Sequence, residues 1–197
     1  MTQYNLLDQL FSDNHGILKT TDAVHEGVSK PMFYQYVKEH SIESVSHGVY
    51  ATPNAWVDEM YLLHIRCEEA IFSHESALFF HDLTGREPMH HTITVKTGYN
   101  PTRLTKDGIK VYTIKRELHQ IGICEMTTPF GQTVPVYDME RTICDIIRSR
   151  SSIEMQTFQE AMKDYAKRKD KNLRRLMQYA SMFHVERKLR QYLEVLL

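Results

Sequence analysis

Cysteine is sparse in this sequence: Cys67, Cys124 and Cys144 stand far apart and form no CxxC pair. Neither a disulfide framework nor a cysteine zinc site follows from such spacing, and the three read as buried thiols. Long apolar runs are missing as well. A membrane-crossing helix needs about 18 or more consecutive apolar residues, and no such stretch occurs. The opening MTQYNLLDQLFSDNHG lacks the basic start and apolar run of a secretory signal, so the chain is expected to be cytosolic. There is no Gly-rich phosphate loop, no GxSxG, no HExxH, no internal repeat and no low-complexity segment. These absences remove the usual signatures of P-loop, serine-hydrolase and zincin chemistry and of repeat architectures.

What is present is ordinary in bulk and uneven in layout. A chain of 197 residues, 42% hydrophobic and 25% charged, can fold as one domain or two small ones around a sizeable core. Its formal net charge is −1, yet from Ala161 onward ten basic residues face four acidic ones, +6 in all, which leaves −7 for the rest. Lys167, Arg168, Lys169, Lys171, Arg174 and Arg175 form the densest part of that basic end. It is a candidate surface for phosphate or an acidic partner, with a merely solvated helix end as the plainer alternative.

The stretch from Asn14 to Ala51 organises the reading. Thr20 and Thr21 can cap a short helix through Val24 that Gly27 ends, because a hydroxyl accepts an amide left unpaired in the first turn. Ser29 is a second capping residue, with Pro31 inside the first turn where its missing N–H costs nothing. A helix from Lys30 to about His40 follows, with Met32, Phe33, Tyr36 and Val37 facing a core and Lys30, Tyr34, Gln35 and Lys38 facing outward. Ile42–Val45 and Val49–Ala51 have strand composition around Ser46-His47-Gly48, so a hairpin is expected there. Preceded by a helix over Gln3–Ser12, this is the order of a winged helix-turn-helix, whose second helix fits the major groove while the wing reaches the backbone. The candidate DNA contacts are Lys19, Thr20, Ser29, Lys30, Tyr34, Gln35, Lys38 and His47, supplemented by the six basic residues above. A small helical subdomain used for packing is the plainer alternative.

After the hairpin, Thr52-Pro53-Asn54 breaks the pattern, and the domain boundary is placed there, giving 1–52 and 53–197. A helix is expected from Trp56 to about Cys67, with Trp56, Met60 and Leu63 on one side, and another from Ser73, where Ser76, Phe79, Phe80 and Leu83 recur at three- and four-residue steps and Phe79, Phe80 and Leu83 are the expected buried face. From His91 the period changes to two, and strands are expected over Thr92–Lys96, Ile109–Ile114, Ile121–Met126 and Thr133–Tyr137. Asp138 then caps a helix that buries Ile143, Ile146 and Ile147. Three more helices are marked by Phe158, Met162 and Tyr165, by Leu173, Leu176, Met177 and Ala180, and by Val185, Leu189, Tyr192, Leu193 and Leu196. The fold class is α+β, a winged helix-turn-helix followed by a larger domain with a sheet of roughly four strands and C-terminal helices.

Residues with catalytic potential do not form a constellation. His74, Glu75 and His81 lack the i, i+4 histidine pair of a helical zinc site, and His90-His91 precedes a strand, where neighbours point to opposite faces. Asp138 is a cap, Glu140 and Asp145 do not stack on one helical face, and Arg141 can pair with Asp145 at i, i+4. The chain is read as non-catalytic, with no cofactor and no metal.

The segments Gly27-Val28-Ser29, HGVYATP from His47, AIFSHESALFFHDL from Ala70 and VPVYDMERTICDIIR from Val134 occur in this order. Together they resemble the AbiEi family, antitoxins and transcriptional repressors of type IV abortive-infection toxin–antitoxin systems, over nearly the whole chain. The resemblance implies autorepression through inverted repeats in the promoter, with possible cooperative pairing on the DNA. It also implies a nucleotidyltransferase-like toxin as functional partner, whose counteraction by the C-terminal domain need not involve a stable complex. One departure stands out. Winged units of this type are commonly arginine-rich, whereas from Asn14 to Ala51 only Lys19, Lys30 and Lys38 face Asp22, Glu26, Glu39 and Glu43. Phosphate neutralisation dominates DNA affinity, so the basic C-terminal helices are expected to share the side of Lys30–Lys38 and supply the missing contacts. The alternative class is a nuclease or nucleotidyltransferase-like enzyme with a winged targeting unit. A third is a repressor that senses a small molecule in an apolar pocket.

Overall fold

The structure, a computed structural model, describes residues 2–196, and of Val195 and Leu196 it describes the backbone alone. The chain divides into two compact units, Met1–Leu62 and Leu63–Leu197.

The first unit runs α1 (Gln3–Asp13), β1 (Ile17–Lys19), α2 (Thr20–His25), α3 (Lys30–Glu39), β2 (Glu43–Ser46) and β3 (Val49–Ala51). Helix α3 begins as its sequence requires. The Ser29 hydroxyl accepts the Met32 amide at 3.4 Å, and Pro31 sits in the first turn. Gly27, at φ +96°, turns the chain between α2 and α3, and the Val28 amide closes onto the Ala23 carbonyl at 2.9 Å. Leu7, Phe11, Leu18, Ala23, Val28, Phe33, Tyr36 and Ile42 form the core. Each large side chain among them contributes about 1.5–3 kcal/mol by leaving water. The three strands lie in the order β1-β3-β2, all antiparallel. Strand β1, three residues long, was not expected from the sequence. Nor is Thr20 a cap: it is the first residue of α2, and Lys19 holds the capping position, where its side chain makes no capping bond.

The second unit contains α4 (Glu59–Arg66), which starts before the division between the units, then β4 (Ile71–Phe72), α5 (His74–Phe80), β5 (Thr92–Lys96), α6 (Thr102–Lys106), β6 (Lys110–Ile114), α7 (Arg116–His119), β7 (Ile123–Thr127) and β8 (Thr133–Tyr137). Helices α8 (Met139–Arg148), α9 (Met155–Lys167), α10 (Leu173–Met182) and α11 (Glu186–Leu196) complete it. The sheet has five strands rather than four, in the order β6-β5-β4-β8-β7. It is mixed, because β5 with β6 and β4 with β8 pair in parallel. The extra strand, β4, has only two residues and sits at the centre. The fold is thus α+β, a small three-stranded sheet with helices followed by a five-stranded mixed sheet and C-terminal helices.

Helix α8 is the axis of this unit, with Met139 to Ile147 buried on every side. Asp138 caps it, its Oδ1 accepting the Arg141 amide at 2.8 Å. Ile143, Ile146 and Ile147 join Leu78, Leu83, Phe158, Met162, Tyr165, Leu176, Ala180, Phe183 and Leu189 in one core. An ion pair is enclosed in it: Arg141 Nε donates to Asp145 Oδ2 at 2.9 Å, both side chains fully buried. The Arg141 guanidinium lies between the rings of Tyr137 and Phe183, 4.1 and 3.9 Å from their centroids.

Several expected faces are shifted. Trp56 is 78% exposed and precedes α4, because Asp58 Oδ1 accepts the Met60 and Tyr61 amides and starts the helix there. In α5 the buried residues are His74, Ser76, Ala77 and Leu78, with Phe79 and Phe80 half-buried. Leu173 is partly exposed, and Val185 is buried just ahead of α11. The side chain of Leu196 lies outside the described residues. No helix of the described residues is long and apolar enough to cross a membrane.

Candidate nucleic-acid interface

Helix α3 divides cleanly by face. Phe33 and Tyr36 are buried and Met32 and Val37 pack beside them, whereas Lys30, Tyr34, Gln35 and Lys38 are exposed. Residues 30, 34 and 38 repeat every fourth position and so form one stripe, with Gln35 beside it. Neither Lys30 nor Lys38 makes an ion pair among the described residues, so both cations are open to solvent and to an anion. Tyr34 is held upright, its ring meeting Phe33 and Tyr50 edge to face at centroid distances of 5.7 and 6.1 Å.

The inner edge of that stripe is tied to α1. Gln35 Nε2 donates to Glu39 Oε1 at 2.9 Å, and Tyr4 Oη donates to Glu39 Oε2 at 2.6 Å. The bond from Tyr4, then that from Gln35, holds the Glu39 carboxyl below its ordinary pKa. One turn back, Tyr36 Oη donates to Asp8 Oδ1 at 2.5 Å and its ring stacks on His40 at 4.1 Å. Burial first, then the Asp8 bond, raises the Tyr36 phenol. Glu39 and Tyr4 were not among the candidate contacts read from the sequence. The i, i+4 spacing of Gln35 and Glu39 was the available signal, and the long-range bond to Tyr4 had none.

The other candidate contacts of this unit fare unequally. His47 is exposed at the tip of the β2–β3 hairpin, beside Gly48 at φ +71°. Lys19 is half-buried, and Ser29 is exposed with its hydroxyl engaged as the α3 cap. Thr20 corrects the expectation. Thr20 is 7% exposed with Oγ1 buried, and its amide already donates to the Gly48 carbonyl at 2.9 Å, so neither group is presented to a phosphate.

In the second unit two members of the basic run, Lys167 and Arg168, pair closely with their own neighbours. Lys167 pairs with Asp164 at 3.0 Å, and Arg168 grips Asp170 with two bonds of 2.8 Å. Those bonds raise the Arg168 pKa and lower that of Asp170. Lys171 Nζ donates to the Arg168 carbonyl at 2.9 Å. Lys169 and Arg174 are exposed and without an ion pair among the described residues, and Arg175 stands 3.8 Å from Asp138. Arg174 and Arg175 occupy the first turn of α10, the positive end of a helix dipole, where cations are disfavoured by about 0.3–1 kcal/mol each and an anion is favoured.

The residues weighed for chemistry are each engaged separately. His74 is fully buried, stacked on Tyr112 at 3.5 Å, with Nδ1 3.0 Å from Ser73 Oγ and Nε2 3.1 Å from Ser149 Oγ. Burial, then the charges of Arg148, Lys110 and Arg141, lowers its pKa well below the ordinary histidine value. His81 Nε2 bonds the Tyr137 carbonyl at 2.7 Å, and Glu75 pairs with Lys110 at 2.8 Å. Glu140 accepts the Tyr165 hydroxyl at 3.3 Å and the Asn172 amide at 2.8 Å. A cavity of about 310 Å³ beside Lys110 is lined by Glu75, Arg86, Glu87 and Glu154 together with Pro88 and Met89, so charged groups share a largely apolar wall.

No protein-family model matches the chain, and no curated relative matches it. Among solved structures, the crystal structure of the RV2827C protein from Mycobacterium tuberculosis is similar, with a TM-score of 0.62 at 12% identity, over 92% of this chain and 72% of that one. At that identity the likeness extends to the fold.

Proposed function

We propose that the protein is a DNA-binding transcriptional repressor whose first unit is a winged helix-turn-helix, with α3 as recognition helix and the β2–β3 hairpin as wing. The observation that carries this reading is the outer face of α3. Two lysines without an ion pair among the described residues flank a tyrosine and a glutamine on a helix whose opposite face is anchored in the core. A helix of this width enters the major groove, where amide and hydroxyl side chains meet base edges and lysines meet phosphates. The order of helices and strands around it, closed by a hairpin with an exposed histidine, supports the same docking. Because the first unit has few cations, part of the phosphate grip is assigned to exposed basic residues of the second unit, chiefly Lys169, Arg174 and Arg175. The partner is thus duplex DNA, and the inverted repeats implied by the family resemblance are its expected form.

The second unit is read as non-catalytic. The polar residues of α8 and its neighbours are consumed as caps and buried pairs, which supports a structural role for Asp138, Glu140, Arg141 and Asp145. The antitoxin role against a nucleotidyltransferase-like toxin rests on the resemblance, carried by the SHESALFFHDL and VYDMERTICDIIR segments. Titrating labelled duplex from upstream of its own gene with the full chain tests the DNA reading. Saturable binding that a Lys30→Ala/Gln35→Ala/Lys38→Ala variant loses by tenfold or more is expected, and at about 1–3 kcal/mol per base contact this is a modest demand. Unchanged binding by the triple variant would assign the contact to another surface. Co-expression with a toxin encoded beside it tests the antitoxin role separately: growth rescue supports it, and continued arrest removes it.

A further inference from the structure

We infer that the Tyr4–Glu39–Gln35 chain of hydrogen bonds is a positioning device that makes Gln35 a reader of adenine. The inference rests on the DNA-binding reading of α3 and names what that face recognises.

Glutamine is long and flexible, and a free glutamine on a helix surface must be ordered when it binds. Gln35 is ordered beforehand. One amide N–H is committed to Glu39 Oε1 at 2.9 Å, and Glu39 is itself fixed because its other oxygen accepts the Tyr4 hydroxyl at 2.6 Å from across the α1–α3 seam. Tyr4 is in turn braced edge to face on Tyr36, 5.3 Å between centroids. Among the described residues, what remains free on Gln35 is one N–H donor and the Oε1 acceptor. Adenine in the major groove presents the complementary pair, the N7 acceptor and the N6 amino donor. Guanine presents two acceptors there, so Oε1 would face O6 with no proton between them. Pyrimidines have no N7.

Glu39 does not compete as a reader. A carboxylate accepts from the cytosine amino group, but both Glu39 oxygens already accept bonds from the protein. Its neighbours on the stripe fit an A·T step as well. Tyr34, held between Phe33 and Tyr50, offers a rigid apolar ring edge suited to a thymine methyl. Lys30 and Lys38 stand at the two ends of the helix, four residues either side of Tyr34, and leave its centre uncharged.

Selection from a random-sequence duplex library by the full chain, followed by competition titrations of the selected site and its single A·T to G·C variants, tests this. At one position per half-site adenine is expected to be preferred over guanine by about 5- to 150-fold, the range of one good bidentate contact. Gln35→Ala should bring that ratio close to one, and Gln35→Arg should turn the preference toward guanine. Tyr4→Phe removes one hydroxyl and keeps the ring. It should narrow the adenine preference severalfold with the melting temperature unchanged, which a merely structural role would not do. Glu39→Gln should narrow the preference while raising affinity for every duplex, since a negative charge beside the phosphates is removed. A selected motif whose base preferences are the same in wild type and Gln35→Ala would overturn the inference and leave DNA binding standing. Preferences unchanged in Tyr4→Phe and Glu39→Gln would overturn the positioning role. Absence of binding to any duplex would overturn both this inference and the proposed function.

Discussion

Replacing Arg141 with methionine perturbs the most enclosed charge in the protein. Methionine keeps apolar bulk between the Tyr137 and Phe183 rings but removes the Nε bond to Asp145 and the two Nη1 bonds to the Leu118 and Ile121 carbonyls, 2.9 and 2.8 Å long. Asp145 is left fully buried with only the Arg148 guanidinium at 3.3 Å. Removing one partner of a buried pair costs about 3–5 kcal/mol. With an unfolding entropy of roughly 2.1 cal/mol/K per residue over the unit Leu63–Leu197, the midpoint should fall by about 10–18 °C. The loss should also depend on pH. Burial raises the Asp145 carboxyl, and Arg141 and then Arg148 pull it back. Without Arg141 the folded variant holds a proton that the unfolded chain, near pKa 3.9, has released. Between those values the folded state binds more protons, so stability falls as pH rises. Denaturant unfolding followed by circular dichroism should therefore give a larger deficit at about pH 7 than at about pH 4.5. Replacing Asp145 by leucine in the same chain should recover part of the loss, because the buried carboxyl left without its partner is gone. A deficit below about 1 kcal/mol, or one equal at the two pH values, would refute charge compensation as the role of Arg141.

Other consequences are open to measurement. Lys30→Ala and Lys38→Ala should each reduce the slope of log affinity against log salt on duplex DNA by about 0.9, and an unchanged slope would take that lysine off the phosphates. Arg174→Ala combined with Arg175→Ala should lower the slope again without altering which sequence is selected. Gly122→Ala should destabilise by about 1–3 kcal/mol in thermal melts, because Gly122 sits at φ +78° and an added Cβ would lie 2.8 Å from Arg141 Cβ. His74, neutral when folded, is depressed below its unfolded pKa of about 6.5, so its stabilisation is present above that pH and is lost as pH falls toward the folded value. Wild type should lose stability on acidification from pH 7.5 to about 5 more steeply than His74→Gln; parallel curves would show that His74 stays out of that transition.

Local signals in the sequence sufficed where one residue type has one physical use. Ser29 three residues ahead of an amide and Pro31 in a first turn placed α3 almost to the residue, and Asp138 ahead of an isoleucine stripe placed the start of α8. Alternation located β5 and β8. Strands β1 and β4, three and two residues long, are too short to show a period, and they exist because neighbouring strands supply their partners. Trp56 misled because a large apolar residue beside a helix looks like part of its buried face, while the Asp58 cap two residues later decides where the helix begins. In α5 the buried face is centred on Leu78 rather than the phenylalanines, since seven residues give too few turns to fix a phase. The basic run from Lys167 to Lys171 looked stronger in the sequence than it is, because Asp164 and Asp170 fold back onto it. The Gln35–Glu39–Tyr4 chain depends on a contact between residues 4 and 39 that no local pattern announces.

The central claim is that the outer face of α3 meets DNA, and amide and side-chain NMR shifts of the labelled full chain during titration with its upstream duplex test it directly. The largest changes are expected at Lys30, Tyr34, Gln35 and Lys38, including the Gln35 side-chain amide, with a second group at Ser46–Val49. Saturable shifts confined to residues away from α3 and the hairpin would contradict it.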